Sequence, residues 1–376
     1  MTSRSVFDDL IGQPKVASYL SSAVRSCAVT HAYLFVGPQG SGKKTAARAL
    51  SCAIVCDDGG CGTCPACQRI RKGFHPDVRT YRPEGAATYM VDQVRDLIHD
   101  INLAPIEASR KVYIVDAAES LGAQSANALL KTLEEPPADA VIILLATDFD
   151  AVIPTIVSRC QIVRFTSIPP ATAIAMLVQR VGVHETEARA ALAAAGGIVP
   201  RAIDFLRSSQ RRAMRDEVLG VLKDLTVMDG YDVEQAARGL LASVKAPLDE
   251  LKAAQAAELR ERAEFLGGKV STKPIEERHK RELTAREREG VTEVLNVAES
   301  WLRDCLTLSV GAVELVENAD AVDTMEEIAA VITPRAALKA LDAVAEARRR
   351  VGANVSPQLA VEAMLFDIQE VYRCPR

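Results

Sequence analysis

A glycine-rich loop with the spelling of a phosphate-binding loop occupies residues 37 to 45. It reads Gly37-Pro-Gln-Gly40-Ser-Gly42-Lys43-Lys44-Thr45, after a short apolar run and before an alanine-rich segment. Glycines let backbone N–H groups turn inward around phosphate oxygens, and the amino end of a following helix adds positive potential. Lys43 would supply the point charge for the β- and γ-phosphates. The sequence therefore predicts a nucleotide site, with an unliganded glycine-rich turn as the alternative.

One position of this loop departs from the phosphate-binding pattern. The residue after Gly-Lys is normally Ser or Thr, whose hydroxyl ligates Mg²⁺. This chain has Lys44 there, and Thr45 comes one residue late. An ammonium group cannot ligate a metal and would repel it, although it could offset phosphate charge in the metal's place. We therefore expect the loop to remain able to bind ATP and its coordination of Mg²⁺ to be impaired.

An aspartate ends a second apolar run, Val112-Tyr-Ile-Val-Asp116. An acid at this place assists Mg²⁺ binding in P-loop ATPases, and a plain helix cap is the alternative reading of Asp116. Hydrolysis also needs a base that polarises the attacking water, and the lack of one costs about 10²–10⁴ in rate. Ala117 and Ala118 follow Asp116, and we expect Glu119 to face elsewhere. The sequence thus predicts weak or absent intrinsic hydrolysis.

Four cysteines are crowded into a short segment as Cys56-x4-Cys61-x2-Cys64-x2-Cys67, among several glycines. Tetrahedral Zn²⁺ takes four thiolates at about 2.3 Å, and a closed shell of four leaves no open position. We therefore expect a structural zinc ion. An iron–sulfur cluster, which also uses Cys-x2-Cys-x2-Cys, is the rival, and a redox-active cysteine pair is a further alternative.

Short apolar runs of strand length alternate with amphipathic helical patterns over the first 165 residues. This alternation predicts a parallel α/β sheet that is covered on both faces. After residues 167–170 (Ser-Ile-Pro-Pro) the sequence is nearly all helical, with a stretch rich in Glu, Arg and Lys at 246–289. We interpret that stretch as a solvated helical hairpin or a partly disordered insertion. The predicted strands are Ala32–Val36, Val112–Val115, Val141–Ala146 and Ile162–Phe165.

Length and composition set broader bounds on the protein. A chain of 376 residues is too long for one ordinary core, so we expect two or three domains. The net charge of −5 gives no overall attraction for DNA. The sequence has neither eighteen consecutive apolar residues nor the apolar start of a signal peptide. We therefore expect a cytoplasmic protein with no membrane contact.

The order of these motifs resembles that of the bacterial DNA polymerase III clamp-loader subunits, which are AAA+ proteins, and within them the delta-prime type. The resemblance has specific motifs over the first 207 residues, and beyond them it rests on helical character and position. The motifs that carry it, besides the loop and the cysteines, are residues 6–13 (VFDDLIGQ), His75-Pro-Asp77, residues 127–136 (NALLKTLEEP) and Ser158-Arg159-Cys160.

The resemblance implies a RecA-like AAA+ P-loop domain over residues 1–166, with a four-cysteine zinc module at 56–67. A helical lid domain at 167–207 and an all-α collar domain at 208–376 should follow, the collar assembling a hetero-pentameric ring. The implied partners are the gamma/tau and delta subunits and, through the complex, the sliding clamp and primed DNA. The implied role is in DNA replication, as a component of the DNA polymerase III holoenzyme without a catalytic site of its own.

The resemblance also implies roles for three single residues. Arg159 would be an arginine finger for nucleotide bound by a neighbouring motor subunit, whereas from sequence alone an arginine here is better explained by a surface ion pair. Thr147 matches the sensor position at the end of its strand, and Arg201 matches the sensor arginine of the lid.

The departures at Lys44 and after Asp116 favour one kind of subunit over another. Motor subunits of the family carry intact Lys-Thr and Asp-Glu pairs, and this chain has neither. We therefore expect a stator, with an ATP-hydrolysing gamma/tau-like motor or another AAA+ ATPase as the alternative. A zinc-dependent nucleic-acid-binding module with an unused phosphate loop is a third interpretation, against which the net charge argues.

Overall fold

The computed structural model describes residues 5–83, 88–265, 273–353 and 355–374. The chain divides into two compact units, Met1–Thr172 and Ala173–Arg376. Among the described residues, no helix combines the length and the apolar character needed to cross a membrane.

A parallel five-stranded sheet in the order β2-β3-β4-β1-β5 forms the centre of the first unit. The predicted parallel α/β sheet is thereby confirmed. The elements of this unit, in chain order, are α1 (Pro14–Arg25), β1 (Ala32–Val36), α2 (Lys43–Val55), α3 (Pro65–Lys72), β2 (Val78–Tyr81), α4 (Val91–Ile101), β3 (Lys111–Val115), α5 (Ala123–Glu134), β4 (Ala140–Ala146), α6 (Pro154–Val157) and β5 (Gln161–Arg164).

Both faces of the central strands are buried. In β1, Tyr33 and Phe35 pack into one core with residues of α1, α2 and α3, whereas Leu34 packs on the opposite face with residues of α4 and α5. A strand buried on both faces must be apolar at every position, because neither face meets water. This requirement explains why the central strands are visible in the sequence as unbroken apolar runs.

The four predicted strands are confirmed, with no end shifted by more than one residue, and a fifth strand was not predicted. The missed strand, β2, lies at an edge of the sheet, where one side meets solvent. Val78 is buried, but Arg79 and Thr80 are exposed. An edge strand with polar residues lacks the apolar run on which the prediction relied.

The carboxyl ends of the parallel strands bring three sequence motifs to one edge of the sheet. β1 pairs with β4, with Val36 opposite Ala146, and β3 pairs with β4, with Val115 opposite Leu144. The residues that follow these strands are Gly37, Asp116 and Thr147. In open parallel sheets this edge is where ligands bind.

The second unit is helical in its described parts. Trp301, in the helix Lys273–Ser309, is completely buried. Gln255 of the preceding helix donates a side-chain hydrogen bond of 2.9 Å to Glu282 of this helix. The stretch 246–289 is thus helical where described, while Gly267 and Gly268 lie outside the described residues. The helices are α7 (Pro170–Val181), which spans the division, α8 (Glu185–Ala194), α9 (Val199–Arg207), α10 (Ser209–Asp224), α11 (Gly230–Phe265), α12 (Lys273–Ser309), α13 (Val322–Ala329), α14 (Pro334–Gly352) and α15 (Pro357–Arg373).

Candidate nucleotide and metal sites

The loop between β1 and α2 has the backbone that a phosphate-binding loop needs. Gly40 and Gly42 adopt left-handed conformations, with φ of 81° and 92°, which side chains disfavour. A Cβ atom on Gly37 would lie 2.4 Å from the carbonyl oxygen of Phe165. Gly42 is also the residue before the first turn of α2, so the loop ends at a helix amino terminus.

Lys43 is folded back onto its own loop. Its Nζ donates to the carbonyl oxygen of Pro38 at 2.8 Å and to that of Gly37. Burial lowers the pKa of Lys43, against the opposing effect of the carboxylates of Glu119 and Asp116. A bound phosphate would replace the two carbonyl oxygens as the partner of this ammonium group.

Gln13 fixes the position of the phosphate loop against the sheet. It is almost fully buried, and its Nε2 donates to the carbonyl oxygens of Ser41, at 3.1 Å, and of Thr166. Gln13 ends the segment VFDDLIGQ, in which no role was predicted for the glutamine. Its position explains why that segment accompanies the loop.

Lys44, in the first turn of α2, forms an ion pair with Asp116. Its Nζ lies 2.6 Å from Asp116 Oδ2, and Arg82 Nε lies 3.8 Å from the same oxygen. The next residue, Thr45, is half-buried. These residues do not fit a magnesium site, because an ammonium stands where a hydroxyl ligand is required and the nearby carboxylate is already neutralised.

The prediction that Glu119 faces elsewhere is wrong. Its Oε1 accepts hydrogen bonds from the backbone N–H of Thr147, at 3.1 Å, and from the Thr147 hydroxyl. Its Oε2 is buried and has no hydrogen-bond partner within the part of the chain that the structure describes. The turn depends on Ala117, which takes a left-handed conformation with φ of 52° and redirects the chain after β3.

The four predicted cysteine ligands converge between the end of α2 and the start of α3; we call residues 56–67 the cysteine knuckle. All four Sγ atoms lie within 4.8 Å of one another. The Cys56–Cys61 and Cys56–Cys64 Sγ distances are 3.8 and 3.6 Å, and thiolates about 2.3 Å from one tetrahedral ion are about 3.8 Å apart. The knuckle therefore fits a single tetrahedral metal ion. An iron–sulfur cluster would hold the thiolates further apart, because several atoms lie between them.

Backbone N–H groups further define the knuckle. The Sγ atoms of Cys61 and Cys64 accept from the N–H groups of Cys64 and Cys67, each at 3.4 Å. Hydrogen bonds from Thr63 and then Cys64 lower the pKa of Cys61 to about 6. Burial raises the pKa of Cys67, and the pKa of Cys64 is raised as well although the Cys67 N–H donates to it, so a metal ion would have to displace protons from these two thiols.

The chain packs closely around the knuckle at Gly60. A Cβ atom there would lie 2.7 Å from a methyl carbon of Val6 and 3.1 Å from Cα of Ala53, and φ is 93°. The backbone N–H of Val6 donates to the carbonyl oxygen of Gly60 at 3.2 Å. The knuckle thus contacts both the amino-terminal segment and α2.

Asp77 anchors the loop that leads into β3, a role that its sequence motif did not predict. Its buried carboxylate accepts from the backbone N–H groups of Ile106, Glu107 and Ala108 at 2.7 to 2.9 Å. Burial alone would raise the pKa of Asp77, but these hydrogen bonds outweigh it and the pKa is lowered. His75 Nε2 lies 3.1 Å from Glu107 Oε1. The His-Pro-Asp segment thus has a structural role, because it binds the loop at residues 106–108 through both of its polar side chains.

Arg159, the predicted finger, is held within its own chain at the end of α6. Its Nε donates to Glu134 at 2.8 Å, and its Nη1 donates to the carbonyl oxygen of Thr155 at 3.0 Å. About a third of the side chain is exposed. The surface ion pair, the alternative explanation for Arg159, is therefore present, and the finger stays a prediction. Burial raises the pKa of the adjacent Cys160 to about 12, as for a packing residue.

Arg201, the predicted lid sensor, lies in α9 of the second unit, whereas the phosphate loop lies in the first. Burial raises the pKa of Glu293 in the same unit, against the attraction of Arg211 and Arg201. Within the second unit Arg201 thus lies close enough to Glu293 to interact with its charge, together with Arg211. Its sensor role remains a prediction.

Comparison with known proteins gives matches to a family model, to curated relatives and to a solved structure. Residues 12–169 match the family model described as DNA polymerase III, delta subunit. The chain is 31% identical to DNA polymerase III subunit delta' of Bacillus subtilis over 223 residues, which cover 58% of this chain and 67% of that protein. It is 39% identical to subunit tau of the same organism over 159 residues, 41% of this chain and only 28% of that longer protein. A solved gamma subunit-related protein of Thermotoga maritima covers 94% of this chain and 99% of its own, with 19% identity and a TM-score of 0.44.

Proposed function

The chain belongs to the family of DNA polymerase III clamp-loader subunits, which are AAA+ proteins, and we propose that it is a stator subunit of the delta-prime type. In this role it helps to load the sliding clamp on primed DNA during replication. It lacks efficient ATP hydrolysis of its own and acts on nucleotide that a neighbouring motor subunit binds.

The ion pair between Lys44 and Asp116 carries this proposal. A hydrolysing P-loop site places Mg²⁺ between the loop hydroxyl and the acid that ends the neighbouring strand. Here the loop residue and the acid contact each other directly, at 2.6 Å. A motor subunit with this pair would have to break it before it could assemble its metal site.

In this proposal the catalytic contribution of the subunit comes from Arg159, which acts on nucleotide in the neighbouring motor subunit. A guanidinium in the family's finger position stabilises negative charge on the γ-phosphate in the transition state. Glu134 holds the guanidinium in the isolated chain, and a phosphate of the neighbouring subunit would take over from that carboxylate. The exchange is chemically matched, because the planar fork of arginine binds carboxylate and phosphate in the same way.

The other predicted residues have supporting roles in this proposal. The cysteine knuckle holds one structural Zn²⁺ through Cys56, Cys61, Cys64 and Cys67. The loop from Gly37 to Thr45 binds nucleotide, with Thr147 at its sensor position. The helical second unit assembles with gamma/tau and delta subunits in a hetero-pentamer of the cytoplasm, and contact with the clamp and DNA occurs through that complex.

Reconstitution tests the proposed role of Arg159. The chain is mixed with purified gamma/tau and delta subunits of the same organism, the clamp and primed DNA, and ATP hydrolysis is measured. Arg159→Ala should abolish the turnover of the one motor site that the finger serves, since fingers contribute about 10³–10⁵ in rate. Arg159→Lys should fail almost as badly, because lysine keeps the charge but lacks the fork.

Arg95→Ala is the matched control for this experiment. Arg95 is an exposed arginine of α4 whose guanidinium pairs with Asp92 at 3.0 Å, and its loss should leave the turnover of the complex unchanged. Equal turnover of the complexes with wild-type chain and Arg159→Ala would remove the finger from the proposal.

A motor subunit is the second candidate, and the position of Glu119 favours it. The carboxylate lies beside Thr147 with one buried oxygen that lacks a partner among the described residues, as a base that polarises water requires. The purified chain alone decides between the two roles. Turnover comparable to that of the gamma/tau subunit, lost in Glu119→Gln, would establish the motor and overturn the stator.

A further inference from the structure

We propose that Lys44 replaces the divalent ion, so that the loop binds a nucleoside di- or triphosphate without Mg²⁺. The inference deepens the proposed function and rests on its claim that the loop from Gly37 to Thr45 binds nucleotide. It goes beyond the loss of hydrolysis, because a site that has only lost its metal would bind nucleotide poorly. This site has a cation built into the chain instead.

The ammonium of Lys44 is held in place and still has donors to offer. Asp116 Oδ2 accepts from it at 2.6 Å, and just over half of the side chain is exposed. An ammonium has three N–H donors, and Asp116 is the acceptor that the described residues offer it, so two donors remain for phosphate oxygens. In a metal-dependent loop the aspartate assists a Mg²⁺ ion that bridges the phosphates; here it positions a lysine that does so.

The surrounding charges suit a polyphosphate without its metal. Three cationic side chains, Lys43, Lys44 and Arg82, lie around the carboxylates of Asp116 and Glu119. Among the described residues of the site, positive charges therefore outnumber negative ones before any ligand binds, and the helix amino terminus adds positive potential. A nucleotide that arrives without Mg²⁺ carries more negative charge than its magnesium complex, and the extra lysine offsets that difference.

The same contacts oppose a divalent ion. Asp116 is already shared by Lys44 and Arg82, and Glu119 Oε1 by the N–H and hydroxyl of Thr147. Mg²⁺ binds through oxygen ligands at short distance and gives up its waters reluctantly. It would have to enter beside an ammonium that repels it. The magnesium complex of a nucleotide should therefore bind no better than the nucleotide alone.

Titration of the purified full-length chain with ATP and with ADP, in excess MgCl₂ or in excess EDTA, tests this inference. Because EDTA can also remove zinc, metal analysis checks that the cysteine knuckle keeps its ion, and buffer freed of Mg²⁺ on a chelating resin replaces EDTA where it does not. Wild type should bind both nucleotides in EDTA at least as tightly as in MgCl₂. Lys44→Thr restores the usual ligand, and its affinity should become at least about tenfold tighter in MgCl₂ than in EDTA. In EDTA it should bind about tenfold more weakly than wild type, because one charge-assisted hydrogen bond is lost.

Two further variants control for nonspecific effects. Lys44→Met keeps the aliphatic stem but has neither charge nor ligand, so it should bind weakly in both conditions. Lys223→Thr removes an exposed lysine of the second unit and should behave like wild type. Thermal unfolding of each variant checks that the fold is retained.

Two outcomes overturn the inference: wild-type binding about tenfold tighter in MgCl₂ than in EDTA, or no binding in either condition. Both are distinct from failure of the proposed function, which the Arg159→Ala complex measures. If the chain does not bind nucleotide but Arg159→Ala still abolishes ATP turnover at one motor site, the replacement of the metal by Lys44 is wrong and the stator role is supported. The reverse pair of results would remove the stator and keep the metal-free site.

Discussion

The cysteine knuckle and the phosphate loop lie at opposite ends of α2, and each belongs to a motif that elsewhere holds a metal ion. At the carboxyl end four Sγ atoms converge within 4.8 Å, as one tetrahedral ion requires. At the amino end a lysine nitrogen, 2.6 Å from a carboxylate, stands where the ion would be coordinated. Both backbones have the expected form, so side-chain identity decides whether each end suits a metal.

Cys64→Ser should have the largest effect, and only at the carboxyl end. Structural zinc contributes about 10–16 kcal/mol of apparent binding free energy in small zinc domains, and a closed shell that loses one thiolate loses most of that affinity. Metal analysis should give about one zinc per wild-type chain and far less for the variant. Hydrogen exchange should show that residues 56–67 become unprotected, while ATP affinity at the other end stays unchanged.

Cys27→Ser is the control for this comparison, because Cys27 is an exposed thiol outside the knuckle. It should keep both its zinc and its protection from exchange. A visible absorption band from iron in the wild-type chain would overturn the zinc assignment. If Cys64→Ser lost its ATP affinity together with its zinc, the two ends of α2 would not be independent.

Asp77→Ala should have an intermediate effect, at the amino end of β2, whereas the phosphate loop follows the carboxyl end of β1. It leaves the three N–H groups of residues 106–108 without their acceptor, which should lower the free energy of unfolding by about 2–3 kcal/mol. Urea denaturation measures this change. Asp92→Ala, at an exposed acid in the first turn of α4, should cost much less.

The effect of Asp77 should also depend on pH in a defined direction. Its pKa is lower in the folded state, so the carboxylate stabilises the fold fully above its unfolded pKa of about 3.9. That contribution is lost as the pH falls through the folded pKa. The stability difference between wild type and Asp77→Asn should therefore be constant near neutral pH and shrink below pH about 4. A difference that grows on acidification would contradict the assignment.

Ala117→Gly should have the smallest effect, at the end that carries Lys44. A left-handed conformation costs alanine about 1–2 kcal/mol of folding free energy, and glycine avoids that cost. Part of the benefit is lost, because glycine is more flexible in the unfolded chain. We expect the free energy of unfolding to rise by about 0.5–1 kcal/mol. Ala128→Gly, inside α5, should instead lower it by about 1 kcal/mol. A fall for Ala117→Gly would mean that the turn is not strained.

Local spacing predicted the features that lie within one short segment. The knuckle ligands fall within residues 56–67, and the phosphate loop is nine consecutive residues, so the sequence contains each of them complete. The strands buried on both faces were equally visible. In β2 the exposed edge allows Arg79 and Thr80, and the apolar signal disappears.

Pairings between distant segments could not be predicted in the same way. Lys44 meets Asp116, and Arg159 meets Glu134, only because the sheet register and helix ends place them together. The expected orientation of Glu119 was wrong because a single alanine takes a conformation that alanine rarely adopts. No spacing rule indicates such a turn, since it depends on how β3 and β4 end side by side.

Helix α2 has a mechanical consequence for the molecule. It is a rod about 20 Å long, and its buried residues extend from Lys43 through Ala47 and Leu50 to Ala53. Small side chains let it lie close against its neighbours, so a shift along its axis would drive backbone into packed side chains. We therefore expect a ligand that binds at its amino end to change the local charge without displacing the helix. The first unit should then be rigid at the nucleotide site, where a motor subunit would have to move.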